Sequence, residues 1–206
     1  MTLDSDSDAD LVQRCQSSAG AEFDEAYRQL FALYQDRVYN TCFRVTGNAN
    51  DALDAAQETM VIIARRIGAF AFRSKFSSWV YRIAVNSAID IRRKRMDAPR
   101  SGITTIIGVA DGDQMMQQAA DETVGTEPHQ QLVSIENQQL IQSALSDMNL
   151  TFAAILVLRY IEDLSYEEIS EVQGCSLGTV KSRLNRAHHS LRELLESRGY
   201  DSTLLT

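Results

Sequence analysis

The segment that decides the fold is SYEEISEVQGCSLGTVKSRLNRA, residues 165–187. Ser165, followed three residues later by Glu168, forms a capping-box pattern that marks the start of a helix. Gly174 suits the left-handed turn that other residues avoid, and Ser176 is a suitable N-cap for a second helix. The segment therefore predicts two short helices joined by a tight turn.

The second of these helices has an apolar stripe and a basic face. Val180, Leu184 and Ala187 recur at helical spacing. The candidate DNA-contacting residues are Ser176, Thr179, Lys181, Ser182, Arg183 and Arg186. A helix of this shape fits the major groove, with its first turns at the base edges. An ordinary helical hairpin with a solvated basic face is the alternative interpretation.

The composition indicates an all-α protein of one or two domains. The chain has 206 residues, of which 44% are hydrophobic, with only 2 prolines and 10 glycines. No apolar run reaches the length of a membrane span, and the acidic N-terminus is unlike a secretory signal peptide. We expect no membrane insertion and a cytosolic protein with reduced thiols.

No motif for catalysis or metal binding occurs in the sequence. The three cysteines and three histidines lack the spacing of metal ligands. A glycine-rich phosphate loop and a nucleophile elbow are also missing. The sequence therefore predicts no metal site, no cofactor, no catalytic residue and a protein that is not an enzyme.

The net charge of −8 is unevenly distributed. Residues 1–30 carry seven acids against two bases, residues 65–96 carry nine bases against one acid, and residues 97–129 carry six acids against one base. An acidic spacer thus separates two basic elements. A chain that only coats DNA would not need this spacer, whereas one that docks on a larger basic assembly could use it.

The period of the apolar side chains predicts five helices besides the two at 165–187. They span about 22–46, 50–70, 79–96, 128–147 and 150–162. Gly47 ends the first as a left-handed cap, and Asn50 or Asp51 starts the second. Ser77 or Ser78 starts the third.

Residues 97–129 interrupt the helical pattern. They hold both prolines and four glycines, which favours a mostly irregular linker with a short helical turn near 113–120. The apolar piece ITTIIGV at 103–109 is unusual for a linker, and the sequence does not indicate what it packs against.

The predicted helix at 79–96 combines aromatic, basic and amide groups. Its basic strip is Arg82, Arg92, Arg93, Lys94 and Arg95. An aromatic cluster comes just before it and at its start: Phe70, Phe72, Phe76, Trp79 and Tyr81. Asn86 and Asp90 can read bases, and aromatic faces stack bases expelled from a duplex. Contact with melted DNA is one interpretation. The other is a core helix whose basic end favours the negative C-terminal dipole.

A polar face on the preceding helix has two open interpretations. It consists of Asp51, Asp54, Gln57 and Glu58. It is either a solvated surface or an acidic docking face for a partner helix. A paired-carboxylate catalytic site is rejected, because no histidine or metal-ligand spacing accompanies these acids.

Three sequence blocks carry a family resemblance. They are NDALDAAQETM at 50–60, FSSWVYRIAVNSAIDIRRKR at 76–95, and LVLRYIEDLSYEEIS at 156–170 leading into LGTVKSRLNRA at 177–187. They resemble, in that order, the core-binding helix, the −10 helix and the −35 domain of extracytoplasmic-function (ECF) sigma factors. These proteins are the smallest class of bacterial RNA polymerase initiation factors.

The chain departs from the family pattern at four places. Val85 stands where relatives usually carry an arginine, and Met148-Asn149 replaces the usual Leu-Pro. Ser170 replaces a common alanine. His188 takes the place of a basic residue, which makes a phosphate contact there weaker or dependent on pH.

The resemblance implies an all-α protein of two helical domains joined by an acidic flexible linker. The expected divisions are an acidic segment at 1–21, sigma region 2 at 22–96, the linker at 97–129, sigma region 4 at 130–198 and a tail at 199–206. It implies a chain that directs core polymerase to promoters and assists strand opening at the −10 element, in the bacterial cytoplasm and with the nucleoid when in holoenzyme.

The resemblance also assigns roles to residues. The core-polymerase-binding residues are Asp51, Asp54, Gln57 and Glu58. The −10 residues are Arg73, Lys75, Phe76, Trp79, Arg82, Asn86, Asp90 and Arg93, and the −35 residues are the six given above at 176–186. The implied partners are the clamp helices and flap of core polymerase, promoter DNA and an anti-sigma factor.

Two other functions remain open at this point. A plain helix-turn-helix regulator would explain 165–187 but leave 50–95 without a task. A sigma-like decoy that binds only an anti-sigma protein would have a neutral recognition helix, against which Lys181, Arg183 and Arg186 argue.

Overall fold

The computed structural model describes residues 5–97 and 128–200, and in these ranges every regular element is helical. The helices are α1 Ser5–Ser17, α2 Ala21–Thr46, α3 Ala49–Arg66, α4 Phe76–Asp97, α5 Pro128–Asp147, α6 Leu150–Tyr160, α7 Tyr166–Gln173 and α8 Leu177–Ser197, with a 3₁₀ turn at Ile67–Ala69. The predicted all-α class is confirmed. The expected turn near 113–120, the segment 103–109 and most of the tail lie outside the described residues.

Helices α2, α3 and α4 form the N-terminal bundle. Small residues let them approach closely: Ala52 and Ala55 of α3 and Ala84 and Ala88 of α4 are fully buried. Tyr34 fills the space at one end of this core and is 1% exposed. The apolar side chains that recur at helical spacing therefore form the core of this bundle.

Helix α1 was not predicted from the sequence, which indicated only an acidic N-terminal segment. It buries Leu11, Val12 and Cys15 against α2 and the 3₁₀ turn. The Tyr34 hydroxyl donates to the Asp8 carboxylate, and Gln16 donates to backbone carbonyls after α3. Three apolar residues among many acids were too few to indicate an amphipathic helix.

Two predicted helix starts were wrong, and two predicted ends were right. Asn48, not Asn50 or Asp51, is the N-cap of α3, because its extended backbone lets its side chain accept from two backbone N–H groups. Helix α4 begins at Phe76, before the predicted serine caps. Gly47, with φ of 67°, and Gly174, with φ of 59°, end α2 and α7 in the left-handed conformation as predicted.

The C-terminal half is built around α6. Its residues Ala153 to Leu158 are all buried, and α7 and α8 pack against it, while α5 packs on α8. Asn149, which stands in place of the usual proline, caps α6 by accepting from the Thr151 N–H at 2.9 Å. No helix in the described parts of the chain has both the length and the apolar character needed to cross a bilayer.

The two halves pack against each other. Helix α2 contacts α5 and α6, and α4 contacts α6 and α7. The Arg92 guanidinium of α4 donates to the Val45 carbonyl at 2.7 Å and to the carbonyls of Ser146 and Met148 at the end of α5. This packing determines which of the candidate DNA-binding residues are accessible.

Candidate nucleic-acid interface

The two-helix motif has the local geometry that its sequence predicts. The Ser165 hydroxyl accepts from the Glu168 N–H at 3.2 Å, and the Glu168 carboxylate accepts from the Ser165 N–H at 2.8 Å. Ser176 caps α8 by accepting from the Thr179 N–H at 3.2 Å. Leu177 and Gly178 in the first turn of α8 are exposed, so the positive end of the helix is accessible to a phosphate.

Burial separates the two faces of α8. Val180, Leu184 and Ala187 are at most 2% exposed, so they anchor the helix on α6 and α7. Three predicted −35 residues on the opposite face are exposed: Lys181, Ser182 and Arg186. Basic side chains therefore project from a rigidly packed helix.

Arg183 differs from these exposed residues. It is half-buried, and its guanidinium donates to Gln173 Oε1 at 2.8 Å and to Cys175 Sγ at 3.7 Å. These bonds join α8 to the end of α7 and to the turn. Arg183 thus fixes the angle of the motif, a role that the sequence did not indicate.

His188 has a neighbour that the sequence could not show. The Tyr160 hydroxyl lies 2.8 Å from His188 Nε2, and the rings are 5.6 Å apart. Tyr160 is 62% exposed. The pair extends the polar edge of the basic face beyond Arg186.

The predicted −10 residues on α4 divide into two groups by position. Arg82, Asn86, Asp90 and Arg93 are all exposed and follow one another along the helix. Asp90 and Arg93 form a loose ion pair, with their nearest atoms 3.9 Å apart. This row offers both donors and acceptors, which can pair with base edges.

The aromatic group at the start of α4 is mostly a core cluster. Trp79 is half-buried, and its ring lies 5.3 Å from that of Phe70 and 5.5 Å from that of Phe76. Phe76, a predicted −10 residue, is 5% exposed and packs edge-on against Tyr34. Phe72 is 43% exposed and has a φ of 54°. A positive φ is uncommon for a phenylalanine, and it holds this ring outside the core.

The basic end of α4 is less available than its sequence suggests. Arg92 is 4% exposed, and burial lowers the pKa of its guanidinium. Arg95 forms an ion pair with Asp51 of α3 at 2.6 Å. Of the RRKR run, Arg93, Lys94 and Arg95 are exposed, but Arg95 is engaged by Asp51.

The polar face of α3 has an apolar component. Asp54, Gln57 and Glu58 are exposed as expected. Leu53 and Val61, which are 50% and 47% exposed, lie on the same side of the helix at helical spacing. A solvated surface would not need these two side chains, whereas a docking face would bury them. Asp51 is instead held by Arg95.

Helix α7 lies over the first turns of α4. Lys75 Nζ is 2.8 Å from Glu168 Oε1. A narrow cleft next to this ion pair is lined by Arg73, Trp79 and Arg82 on one side and by Glu171 on the other. Half of the predicted −10 surface therefore faces the C-terminal half of the same chain.

A larger cavity of about 620 Å³ lies between the two halves. Glu162 is at its wall, and its carboxylate accepts from Thr41 at 2.5 Å. Burial raises the pKa of Glu162, although hydrogen bonds from Thr41 and Tyr81 oppose that rise. Burial and the Glu162 charge raise the pKa of Tyr81 above its ordinary value. The seam between the halves thus contains a shared polar network.

Clusters of three or more His, Cys, Asp or Glu residues that could hold a metal ion are not found in ranges 5–97 and 128–200.

Two family profiles match the chain. Sigma-70 region 2 matches residues 30–97, and Sigma-70 region 4 matches residues 138–188. The two matched ranges contain the α3–α4 surfaces and the α7–α8 motif described above.

Curated relatives and solved structures agree with these matches. The chain is 33% identical to the ECF RNA polymerase sigma factor SigW of Bacillus subtilis over 83% of this chain and 89% of that protein. CnrH, solved in complex with the cytosolic domain of CnrY, has a similar fold, with a TM-score of 0.63 and 20% identity over 93% of this chain and 98% of CnrH. The sigma factor RpoE of Bartonella quintana, solved with the anti-sigma factor NepR, gives a TM-score of 0.56 and 21% identity over 82% of this chain and 96% of RpoE.

Proposed function

The chain belongs to the ECF RNA polymerase sigma factors, which direct core polymerase to promoters, and we propose which of its surfaces performs each step of that task. Helix α8 binds the −35 element, α4 and the loop before it bind the −10 element, and α3 binds core polymerase. The observation that carries this assignment is the exposed cationic face of α8 above its buried apolar stripe.

For the −35 element, we propose that α8 enters the major groove. Thr179 and Ser182 lie near the start of the helix and can read base edges, while Lys181 and Arg186 bind phosphates. Arg183 keeps α7 and α8 at the angle that places them there, through its bond to Gln173.

For the −10 element, the exposed row on α4 binds the separated strand. Asn86 and Asp90 read bases, and Arg82 and Arg93 bind the backbone. Phe72 supplies an exposed ring on which an unpaired base can stack. Trp79 supports that ring through Phe70, which lies 5.0 Å from Phe72.

For core polymerase, the α3 face made of Leu53, Asp54, Gln57, Glu58 and Val61 is the docking surface. Its apolar pair gains from burial, and its acids are complementary to a basic partner helix. Arg93 and Lys94 lie on α4, which is a different helix. The docking face on α3 and the DNA face on α4 can therefore be occupied together in this proposal.

The chain catalyses no step itself in this proposal; polymerase forms the RNA bonds. The protein acts in the bacterial cytoplasm and joins the nucleoid as part of holoenzyme. An anti-sigma protein is its second protein partner, as NepR is for the structurally similar RpoE.

The test is run-off transcription with purified core polymerase and a library of random promoter inserts. We expect the chain to select a consistent pair of elements and to yield transcripts of defined length. Transcripts that are independent of the added chain would overturn the proposal. Promoter binding without any association with polymerase would favour a plain helix-turn-helix regulator instead.

A further inference from the structure

We propose that helix α1 has a task in strand opening and that Gln16 is its positioning residue. The Gln16 amide fixes the turn that leads to Phe72, and it thereby holds this ring outside the core, where an unpaired base can stack on it. This inference rests on the proposed function, because Phe72 must receive a base for its position to matter. Helix α1 itself carries none of the surfaces proposed above for promoter DNA or polymerase.

The side-chain amide of Gln16 holds both ends of the 3₁₀ turn after α3. Its Nε2 donates to the Ile67 carbonyl at 2.9 Å and to the Phe70 carbonyl at 2.8 Å. The Phe70 N–H donates to the Ile67 carbonyl at 3.1 Å and closes the turn. An amide nitrogen carries two N–H donors, so one glutamine can satisfy both carbonyls. The turn is therefore tied to a helix that lies 51 and 54 residues earlier in the chain.

The carbonyl that Gln16 holds lies just before the exposed ring. Phe70 precedes Phe72 by two residues, and the φ of 54° at Phe72 is uncommon for a phenylalanine. Such a backbone conformation persists when the surrounding structure fixes the residues on both sides of it. Gln16 fixes the chain on one side, and Phe76 starts α4 on the other. Gln16 thus holds one end of the segment that turns Phe72 outward.

The Phe70 side chain is fixed separately from its carbonyl. Its ring lies 5.3 Å from those of Phe76 and Trp79 and 5.0 Å from that of Phe72. Edge-on and tilted ring pairs of this kind restrict the orientation of each ring. The carbonyl is held by α1 and the ring by α4, so loss of the Gln16 bonds should loosen the loop and the cluster together.

A second contact of α1 supports the same cluster. The Tyr34 hydroxyl donates to the Asp8 carboxylate, and the Tyr34 ring packs edge-on against Phe76 at 5.5 Å. Burial and the hydrogen bond to Asp8 raise the pKa of Tyr34, so the hydroxyl keeps the proton that it donates. Helix α1 therefore reaches the aromatic cluster at two points, through Tyr34 and through Phe70.

The docking of α1 has its own apolar basis. Leu11, Val12 and Cys15 are buried, whereas Gln16 is half-buried. These three apolar side chains attach the helix to α2 and the 3₁₀ turn. A role of Gln16 in stability alone and a role in positioning the loop therefore predict different results when Gln16 and an apolar anchor are changed separately.

The experiment compares three single variants of the full-length chain. Gln16→Met replaces the amide by an apolar group of similar length and removes both bonds to the turn. Gln13→Met is the matched control, because it makes the same substitution at an exposed position of α1. Val12→Ala truncates a fully buried side chain and weakens the docking of α1, but it removes no hydrogen bond. Urea unfolding of the free chain measures stability, and time-resolved permanganate footprinting with core polymerase measures −10 opening.

We expect Gln16→Met to open the −10 region about fivefold more slowly than wild type, with unchanged duplex binding, because fewer molecules hold the loop in its binding conformation. Gln13→Met should match wild type. Val12→Ala should lose at least as much stability as Gln16→Met and still open the −10 region at the wild-type rate. Equal slowing in Val12→Ala would show that opening follows stability, and it would overturn the proposal. Opening at the wild-type rate in Gln16→Met would overturn it too.

The emission of Trp79 provides a second readout, because it is the one tryptophan of the chain. Its ring packs on Phe70, so a loosened Phe70 should leave the indole more open to water. In the free, folded chain we expect Gln16→Met to emit at longer wavelength and to be quenched more by acrylamide than wild type. Val12→Ala and Gln13→Met should emit like wild type. Identical emission and quenching of Gln16→Met and wild type would contradict the positioning role.

The two hypotheses fail in different ways. If wild type with core polymerase starts no transcript, the proposed function fails. If Phe72→Ala opens the −10 region normally, the proposed role of that ring fails, and the role of Gln16 fails with it. If Phe72→Ala slows opening and Gln16→Met does not, only the positioning role of Gln16 is refuted.

Discussion

The guanidinium of Arg92 lies 2.7 Å from the carbonyl oxygen of Val45, at the buried end of α2. The sequence placed Arg92 in a basic run that suggested phosphate contacts. In the folded chain it instead joins the ends of α2 and α5 by hydrogen bonds, and it does not face solvent. Its neighbour Arg93 is exposed, so the two adjacent arginines have separate tasks.

We therefore expect Arg92→Ala to destabilise the protein by about 2–3 kcal/mol, because buried carbonyls lose a charged donor. Arg93→Ala should change the free energy of unfolding by less than about 0.5 kcal/mol, since surface substitutions usually do. Urea unfolding followed by circular dichroism measures both. Equal stability of the two variants would contradict the buried role of Arg92.

The α3 docking face gives a second prediction. Gln57→Arg with Glu58→Arg should abolish co-purification with core polymerase, because two cations replace an exposed polar and acidic pair. The matched control is Gln35→Arg with Asp36→Arg, a similar adjacent pair exposed on α2. We expect the control to co-purify like wild type. Retention of polymerase by the α3 variant would refute the docking assignment.

The two roles proposed on α8 can be separated by salt. Arg186→Ala removes an exposed phosphate ligand, so the log–log slope of promoter affinity against salt should fall by about 0.9. Gln173→Ala removes the 2.8 Å hydrogen bond that Arg183 donates to Gln173 Oε1, but it removes no charge. It should weaken binding by up to about tenfold, because a hydrogen bond to a charged group is lost, and leave the slope unchanged. An unchanged slope for Arg186→Ala would exclude its phosphate role.

Strand opening should depend on the exposed ring of the loop before α4. Phe72→Ala removes a side chain that is 43% exposed, so we expect nearly normal stability and duplex binding but slower opening. Permanganate footprinting of the −10 region measures the opening.

Trp79→Ala should slow opening as well, but it also leaves a cavity beside Phe70 and Phe76 and should cost about 3 kcal/mol of stability. Trp79→Phe is its control and should keep most of the stability and most of the rate of strand opening. Normal opening in Phe72→Ala would remove that ring from the proposed mechanism.

The sequence predicted most of the fold because its local signals agree with the tertiary structure. Apolar periodicity, the capping box at Ser165 and the two left-handed glycines each determine a helix or its end without distant help. Helix α1 was not predicted, because its few apolar residues do not by themselves indicate a helix. They are buried only through packing against α2 and the 3₁₀ turn, which the local sequence does not show.

The candidate sites were predicted less completely, for a related physical reason. A pattern of residue types shows which groups share a face but not what covers that face. Arg92, Phe76 and Asp51 are exposed or buried according to neighbours more than 35 residues away, such as Ser146, Tyr34 and Arg95. Leu53 and Val61 could have been found, since both follow the helical spacing of the predicted polar face.

The thiols provide a final test of the N-terminal core. Cys42 is fully buried, with its sulfur 3.7 Å from the Ala84 carbonyl, and burial raises the pKa of its thiol to about 12. Burial also raises the pKa of Cys15, whereas Cys175 is half-buried. The thiolate is the reactive form, so at pH 8 the native chain should react with a disulfide reagent at one thiol, Cys175, and the unfolded chain at all three.

The raised pKa of the Cys42 thiol also makes the free energy of unfolding depend on pH. An unfolded cysteine loses its proton near its ordinary value of 9.0, but folded Cys42 keeps it until about 12. The unfolded state therefore binds fewer protons above pH 9, and the free energy of unfolding should fall with rising pH from about 9 to about 12. Tyr27, whose pKa burial also raises to about 12, acts in the same direction above pH 10. Cys42→Ala should make this fall shallower by about 1.4 kcal/mol per pH unit. Rapid labelling of Cys42 at pH 8 in the native chain would show that α2 and α4 are not packed as described.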